Sequence, residues 1–252
     1  MIKNNKKCFV TCYFGSKDKI DINGEFKINK NFDYYLFTNL LNSDFKKTSW
    51  NIITINYKKF KDEFNNNVKI SRYFKFLLYK YFENEMNLYY EIIFYCDCYF
   101  YPLCEIDWEK LCNKLRNSEF GIMQYEHNKN FTINDEINFQ IKRKKDKEEN
   151  LNNHRNYLNL INKNINLKNN YGNLYENALI GFNVKSIKVR NFIEDFWIYY
   201  NNINNKTYRD QILWNFLYIH NNLKPIVENK LSSYFLGNKK VNRNIKDYNF
   251  IE

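Results

Sequence analysis

Apolar residues along the chain occur in two patterns, short continuous runs and helically spaced stripes, and together these predict an α/β fold. Short runs rich in β-branched and aromatic residues predict strands. They lie at 8–14, 34–38, 52–55, 92–96, 121–125 and 178–182. Apolar residues three and four positions apart predict helices over 70–82, over 189–200 and from about 207 onwards. Three strands, a helix and a buried strand in this order predict a mostly parallel central sheet flanked by helices.

One stretch departs from this alternation. From about 140 to 173 the sequence is highly polar and includes the basic run 142–145. We interpret it as an exposed helix or mobile insertion rather than a linker between domains. A length of 252 residues suits one large domain, so we expect a single domain over 1–252 that carries this polar insertion.

The composition supports a folded chain, with 44% hydrophobic and 19% aromatic residues. The formal net charge of +11 is compatible with a protein that binds nucleic acid or a membrane surface. It is equally compatible with a cationic pocket for a phosphorylated small molecule. The basic residues are spread along the chain among 28 acidic ones, which favours the second interpretation.

The cysteines argue against a structural metal site. They lie at 8, 12, 96, 98, 104 and 112, which makes no paired CxxC motif, and the chain has only three histidines. No uncharged apolar stretch approaches the length of a bilayer-spanning helix, and no signal-peptide pattern opens the chain. We therefore expect a cytoplasmic protein with reduced thiols.

Asp97 directly follows the apolar run at 92–96. In open α/β sheets, ligands bind outside the carboxyl ends of the strands. A carboxylate there can coordinate a divalent ion that bridges a diphosphate, or accept a hydrogen bond from a ribose or sugar hydroxyl. The alternative is an aspartate that only begins the next turn, and position alone does not separate the two.

Arg72, Lys75 and Tyr79 share one side of the helix predicted at 70–82. Arginine offers a bidentate fork for phosphate and lysine a point charge, so both cations can face one anionic ligand. Taken alone, the same pattern is typical of an ordinary solvated helix face.

Thr207 and Asp210 lie at the predicted start of the third helix, where a hydroxyl and a carboxylate can cap free backbone N–H groups. Asp210 can alternatively act as a general base for an acceptor hydroxyl, or hold hydroxyls of a donor sugar. A helix N-terminus lowers the pKa of a carboxylate, which favours sugar binding over proton abstraction.

His127 follows the strand predicted at 121–125, and Asp135 and Glu136 follow further on. A single histidine is most often a structural hydrogen-bonding group. At the end of a strand it can instead contact a leaving diphosphate.

Taken in order, these segments resemble a glycosyltransferase-like family, found in plants, bacteria and large DNA viruses, that is related to GT-A enzymes. The likeness runs through most of the chain. The segments that carry it are Val10-Thr11-Cys12-Tyr13-Phe14-Gly15, Phe37-Thr38-Asn39, Trp50, Ser71-Arg72-Tyr73-Phe74-Lys75, Asp97, Glu126-His127 with Asp135-Glu136, Leu174-Tyr175-Glu176-Asn177, Trp197 and Arg209-Asp210-Gln211.

This resemblance implies a GT-A-like domain that moves a sugar from a nucleotide-sugar donor to an unidentified glycan or protein acceptor. It implies catalytic roles for Asp210 and His127, and phosphate contacts for Arg72 and Lys75. The binding residues it implies are Thr11, Tyr13, Gly15, Arg72, Lys75, Asp97, Glu176, Arg209 and Gln211.

The resemblance also implies a divalent cation, manganese or magnesium, with Asp97 as its ligand. The usual GT-A metal motif has two aspartates that flank one residue, whereas Asp97-Cys98-Tyr99 supplies one. Two alternatives follow from the same sequence. One is an inactive GT-A-like scaffold, and the other is a basic nucleic-acid-binding module in which aromatic residues stack on bases. The spread of charge makes nucleic acid the less favoured partner.

Overall fold

The structure is a computed structural model that describes residues 6–16, 25–45, 47–127, 132–162 and 174–237. The strands are β1 (Lys7–Tyr13), β2 (Asp33–Thr38), β3 (Asn51–Thr54), β4 (Ile92–Cys96), β5 (Phe100–Pro102), β6 (Ile122–Gln124), β7 (Leu179–Asn183), β8 (Ile226–Val227) and β9 (Phe235–Gly237). The α-helices are α1 (Tyr57–Phe64), α2 (Asn67–Phe76), α3 (Leu78–Glu85), α4 (Trp108–Asn117), α5 (Ile133–Lys142), α6 (Glu148–Ile161), α7 (Ile187–Tyr200) and α8 (Asp210–His220).

Seven of these strands form one sheet in the order β3-β2-β1-β4-β7-β6-β8. β7 is antiparallel to β4 and β6, and the other pairings are parallel. β5 and β9 form a separate antiparallel pair. The predicted fold class, α/β with a mostly parallel central sheet flanked by helices, is confirmed.

Alternation along the buried strands directs side chains to two cores, one on each face of the sheet. On β1, Val10 packs in the core shared with α2, α3, α7 and α8, whereas Phe9 packs in the core shared with α4. On β4, Tyr95 and Phe94 divide in the same way. Because both faces are covered, these strands are continuous apolar runs rather than alternating ones.

The single helix predicted over 70–82 is two helices, α2 and α3. Leu77 ends α2 with φ −100° and ψ 15°, and its N–H bonds to the carbonyl of Tyr73 at 2.8 Å. The carbonyl of Leu77 in turn accepts from the N–H of Lys80. Apolar residues continue on both sides of this junction, so helical periodicity does not reveal it.

The third predicted helix begins three residues later than expected, at Asp210, with Arg209 at its N-cap. The Thr207 hydroxyl does not cap it. Instead, that hydroxyl donates to the carboxylate of Asp146 at 2.5 Å and accepts from the N–H of Arg209 at 3.1 Å. Asp146, which precedes α6, therefore links the first part of the polar segment to the loop that precedes Asp210.

The polar segment near 140–173 is partly packed. Leu151, Tyr157 and Leu158 of α6 are buried, and the Tyr157 hydroxyl donates to the carbonyl of Tyr199 on α7 at 3.0 Å. Residues 163–173 lie outside the described part of the chain. Within the described ranges, no helix combines the length and apolarity required to cross a membrane.

Candidate functional site

Several polar side chains meet at one edge of the central sheet. β1, β4 and β6 end at this edge, and the antiparallel β7 begins there. The strand order also reverses here, because β2 and β3 lie on one side of β1 while β4 and the later strands lie on the other. Ligands of open α/β sheets bind outside carboxyl ends at such a reversal, so this edge is the candidate site.

Asp97 stands at this edge, one residue beyond β4. Its carboxylate accepts from the Tyr95 hydroxyl at 3.1 Å through Oδ1 and from the Tyr99 hydroxyl at 3.3 Å through Oδ2. Tyr95 packs in the core that α2 shares. The Asp97 side chain retains 28% of its exposure, so a ligand at the surface can reach it.

Arg72 and Lys75 of α2 converge on Asp210, the first residue of α8. Arg72 Nε lies 2.8 Å from Asp210 Oδ1, and Lys75 Nζ lies 3.2 Å from Oδ2. The Arg72 contact is an ion pair and not an aligned hydrogen bond, since Nε meets no acceptor at hydrogen-bond geometry among the described residues. Lys75 Nζ is also 3.8 Å from Asp97 Oδ1, so the ammonium lies between the two carboxylates. Residues from three distant segments thus form one charged cluster.

Tyr79 does not join this cluster, although its spacing grouped it with Arg72 and Lys75. It belongs to α3, beyond the junction at Leu77, and its hydroxyl donates to Glu194 on α7 at 2.6 Å. The helix junction removes the continuous face on which the grouping depended.

The four charges of this cluster differ in burial. The side chains of Lys75 and Asp210 retain 4% and 6% of their exposure, whereas that of Arg72 retains 18%. Burial alone would raise the pKa of Asp210, but the charges of Arg72, Lys75 and Arg209 and a hydrogen bond from Asn177 hold it well below its usual value. The helix N-terminus also favours the anion. Asp210 is therefore an anion at neutral pH.

A buried amide network, which the sequence analysis did not identify, supports Asp210. Asn177 Nδ2 donates to Asp210 Oδ2 at 3.1 Å, and Gln124 Nε2 donates to Asn177 Oδ1 at 2.9 Å. Asn177 belongs to a segment singled out by the family resemblance, and Gln124 lies within the strand predicted at 121–125. Their positions in the sequence were therefore visible, but their partners were not.

His127 lies between two carboxylates. Nδ1 contacts Oε1 of Glu176, and Nε2 is 3.4 Å from Oε2 of the buried Glu136 on α5. The carboxylates of Glu136 and Glu176 favour the protonated ring; their effect outweighs that of burial and raises the pKa of His127 to about 10. The imidazole is thus protonated at neutral pH and cannot accept a proton there. Glu176 is the sequence neighbour of Asn177, which donates to Asp210. His127 and its two carboxylate partners therefore lie beside the charged cluster.

The turn after β1 is fixed by the end of β2. Asn39 Oδ1 accepts from the Gly15 N–H at 3.0 Å, and Asn39 Nδ2 donates to the Gly15 carbonyl at 3.1 Å. The Tyr13 hydroxyl donates to the carbonyl of Ser16 at 2.9 Å. A Cβ on Gly15 would come within 2.8 Å of that hydroxyl, so glycine allows the ring to fold over the turn. The buried Thr11 hydroxyl has no hydrogen-bond partner within the described residues.

The remaining predicted binding residues flank the cluster. Arg209 adds positive charge near Asp210, and Glu176 is a partner of His127. The carbonyl of Gln211 accepts from Asn215 Nδ2 at 2.8 Å within α8. Binding roles for these residues, and for Thr11, Tyr13 and Gly15, remain predictions.

The chemistry of the cluster does not fit a divalent cation. Magnesium and manganese favour several oxygen ligands around one position. Here the Lys75 ammonium lies between the Asp97 and Asp210 carboxylates, and each carboxylate already accepts from other donors. Across the described ranges, no group of three histidine, cysteine, aspartate or glutamate side chains has the arrangement of a metal site.

Comparison with known proteins gives one kind of match. No protein-family model matches the chain, and no curated protein matches its sequence. Solved structures do match, among them the crystal structure of mouse xyloside xylosyltransferase 1 in its apo form. That chain is 8% identical, with a TM-score of 0.48, over 88% of the present chain and 85% of its own length.

Proposed function

We propose that this chain is a glycosyltransferase that takes a sugar from a nucleotide-diphosphate donor, within a single GT-A-like domain. The observation that carries the proposal is the convergence of Arg72, Lys75, Asp97 and Asp210 at the sheet edge where the strand order reverses. The order of sequence motifs supports the same class of enzyme.

The cations suit a diphosphate. Arg72 directs Nε toward Asp210, and Nη1 donates to the Ser71 hydroxyl at 3.5 Å, which leaves Nη2 and the second N–H of Nη1 for contact with phosphate oxygens. Lys75 provides a second positive charge from the same helix. Since both side chains are held by Asp210 before any ligand arrives, little side-chain ordering remains to oppose binding.

In the proposed reaction the bond between the sugar's anomeric carbon and the diphosphate oxygen breaks. A bond forms from that carbon to an acceptor hydroxyl oxygen, and the proton of that hydroxyl is released to solvent. Arg72 and Lys75 stabilise the negative charge that develops on the leaving diphosphate. Asp97, the most exposed of the four, is proposed to accept from a ribose or sugar hydroxyl.

Asp210 is proposed to position the two cations and not to act as a general base. Both of its oxygens have cationic or amide partners, and its lowered pKa leaves it a weak base. His127 is likewise protonated at neutral pH, and both of its ring nitrogens face carboxylates, so it is not proposed as a general base.

Thermal unfolding with ligands tests the proposal. UDP, GDP, ADP, their sugar conjugates and pyrophosphate are each added with and without manganese. We expect at least one nucleotide to raise the melting temperature, because a ligand that binds only the folded state stabilises it. The Lys75→Met variant should lose that shift. Lys59→Met should retain it, since Lys59 is an exposed residue paired with Glu85.

A shift that survives Lys75→Met, or no shift with any nucleotide in either metal condition, would contradict the proposal. A donor that binds wild type should then be tested for hydrolysis and for transfer to acceptor panels. Binding without either reaction would favour the inactive scaffold.

A further inference from the structure

Gln124, the last residue of β6, has a fully buried polar side chain. Its Oε1 accepts from Trp214 Nε1 at 3.1 Å and from the Tyr218 hydroxyl at 2.5 Å, both on α8. Its Nε2 donates to the carbonyl of Glu176 at 2.9 Å and to Asn177 Oδ1 at 2.9 Å. All four contacts lie at the sheet edge that holds the charged cluster.

The orientation of this amide follows from its partners. An indole N–H only donates, and that of Trp214 is shared between Gln124 Oε1 at 3.1 Å and the Tyr218 hydroxyl oxygen at 2.9 Å, so it favours the oxygen at this end of the amide. A backbone carbonyl only accepts, so the atom that faces Glu176 must be the nitrogen. The Glu176 carbonyl thus fixes the orientation of the amide, and the Trp214 indole agrees with it.

This orientation determines that of Asn177. Because Gln124 donates to Asn177 Oδ1, the amide nitrogen Nδ2 of Asn177 faces Asp210 Oδ2, to which it donates at 3.1 Å. The opposite orientation would place the Asn177 carbonyl against the Asp210 carboxylate, where two acceptors repel. The Glu176 carbonyl, with Trp214, therefore orients Gln124, Gln124 orients Asn177, and Asn177 holds one oxygen of Asp210.

We propose that Gln124 is a positioning residue, which through Asn177 fixes the Asp210 carboxylate against which Arg72 and Lys75 are aligned. Its importance for ligand binding rests on the proposed function. The residue touches no part of the charged cluster itself and acts only by orienting Asn177.

Two variants interrupt the relay at different points. Gln124→Met keeps the shape and removes the amide, and Asn177→Ser removes the donor to Asp210. Tyr90→Phe is the matched control, since the Tyr90 hydroxyl makes a buried hydrogen bond with the Tyr35 hydroxyl at 2.8 Å and donates to Asp33 at 2.6 Å, at the opposite edge of the sheet. Each change removes buried hydrogen bonds, so a loss of stability alone does not separate them.

Two measurements report positioning. The first is the affinity for the nucleotide diphosphate that gives the largest thermal shift with wild type. We expect both relay variants to weaken it about tenfold, because hydrogen bonds to charged groups contribute on that scale. The second needs no ligand and is the Arg72 Nε–Hε resonance in a 15N-labelled protein, assigned with Arg72→Lys. We expect it to move in both relay variants and to stay in place in Tyr90→Phe.

The inference would be overturned if Gln124→Met and Asn177→Ser lose only as much stability as Tyr90→Phe while their nucleotide affinity and Arg72 resonance stay unchanged. If Gln124→Met does not fold, Asn177→Ser decides by the same two measurements. If the resonance moves as expected while wild type binds no nucleotide, positioning by Gln124 is supported and the proposed function fails.

Discussion

Replacing Asp210 with asparagine tests whether this carboxylate holds the charged cluster together. The substitution preserves shape and leaves one acceptor oxygen, but it removes the charge that Arg72 and Lys75 share. Both cations stay in place, and the side chain of Lys75 retains only 4% of its exposure. Lysine at that depth cannot recover its hydration without rearrangement of α2.

The expected loss follows from the cost of leaving buried charges unpaired. Removing one partner of a buried ion pair destabilises a protein by about 3–5 kcal/mol. Arg72 is partly hydrated and Lys75 retains the Asp97 carboxylate at 3.8 Å, so we expect the lower end, about 3 kcal/mol. For a chain of this size that corresponds to a decrease in melting temperature of about 6–12 °C.

Urea denaturation of wild type, Asp210→Asn and Asp195→Asn measures this loss. Asp195 is an exposed residue of α7, so its substitution removes the same formal charge without disturbing a buried pair. We expect the control to remain within about 0.5 kcal/mol of wild type. A loss below about 1 kcal/mol for Asp210→Asn is no larger than that of an ordinary substitution, and it would refute a large cost of leaving the two cations unpaired.

The pH dependence gives a second check on the same variant. The pKa of Asp210 is lower in the folded than in the unfolded chain, so its contribution to stability is present above the unfolded value of about 4. It is lost as the pH falls toward the folded value. The difference in free energy of unfolding between wild type and Asp210→Asn should therefore be largest near pH 7 and become smaller as the pH falls below about 4. A gap that does not narrow would show that packing and not charge produces it.

Three further outcomes are expected. His127→Gln should lower the free energy of unfolding most below about pH 6.5, because protonated His127 is the form that Glu136 and Glu176 stabilise. The difference from wild type should close as the pH rises toward about 10, and urea denaturation across this range measures it. Gly181→Ala should lower the free energy of unfolding by about 1–3 kcal/mol, since the added Cβ would lie 2.8 Å from the Phe94 ring and 3.2 Å from Leu115. A urea midpoint equal to that of wild type would contradict this close packing. A donor-induced thermal shift should persist in EDTA, because Lys75 already lies between the two carboxylates; dependence on added manganese would contradict this expectation.

Much of the architecture could be predicted from local pattern. The buried strands are continuous apolar runs, so β1, β2, β4 and β7 were predicted to within a few residues. α4 was missed although Trp108, Leu111, Cys112 and Leu115 recur at helical spacing and Asp107 caps its first turn. That helix could have been predicted from the same signal. β8 and β9 contain two and three residues and carry no readable period.

The charged cluster was only partly predictable. Asp97 follows a buried strand, and Arg72 and Lys75 lie three residues apart on one helix, so their meeting could be anticipated. The family resemblance includes Asn177, but its hydrogen bond to Asp210 could not be predicted, because that bond depends on which group Gln124 presents to it. The contact between Asp146 and Thr207 joins positions 61 residues apart, and no local pattern encodes it.

Charge balance at the site bears on the two kinds of ligand that composition left open. A protein that follows a nucleic-acid backbone gains affinity from exposed cations that displace counterions along a groove. Arg72 and Lys75 are instead largely buried and are opposed by Asp97 and Asp210. The surplus of basic residues therefore lies outside this cluster, and the net charge of the chain says little about what binds here. A compact ligand that offers phosphate oxygens to two cations and a hydroxyl to a carboxylate matches the cluster better than a polyanion does.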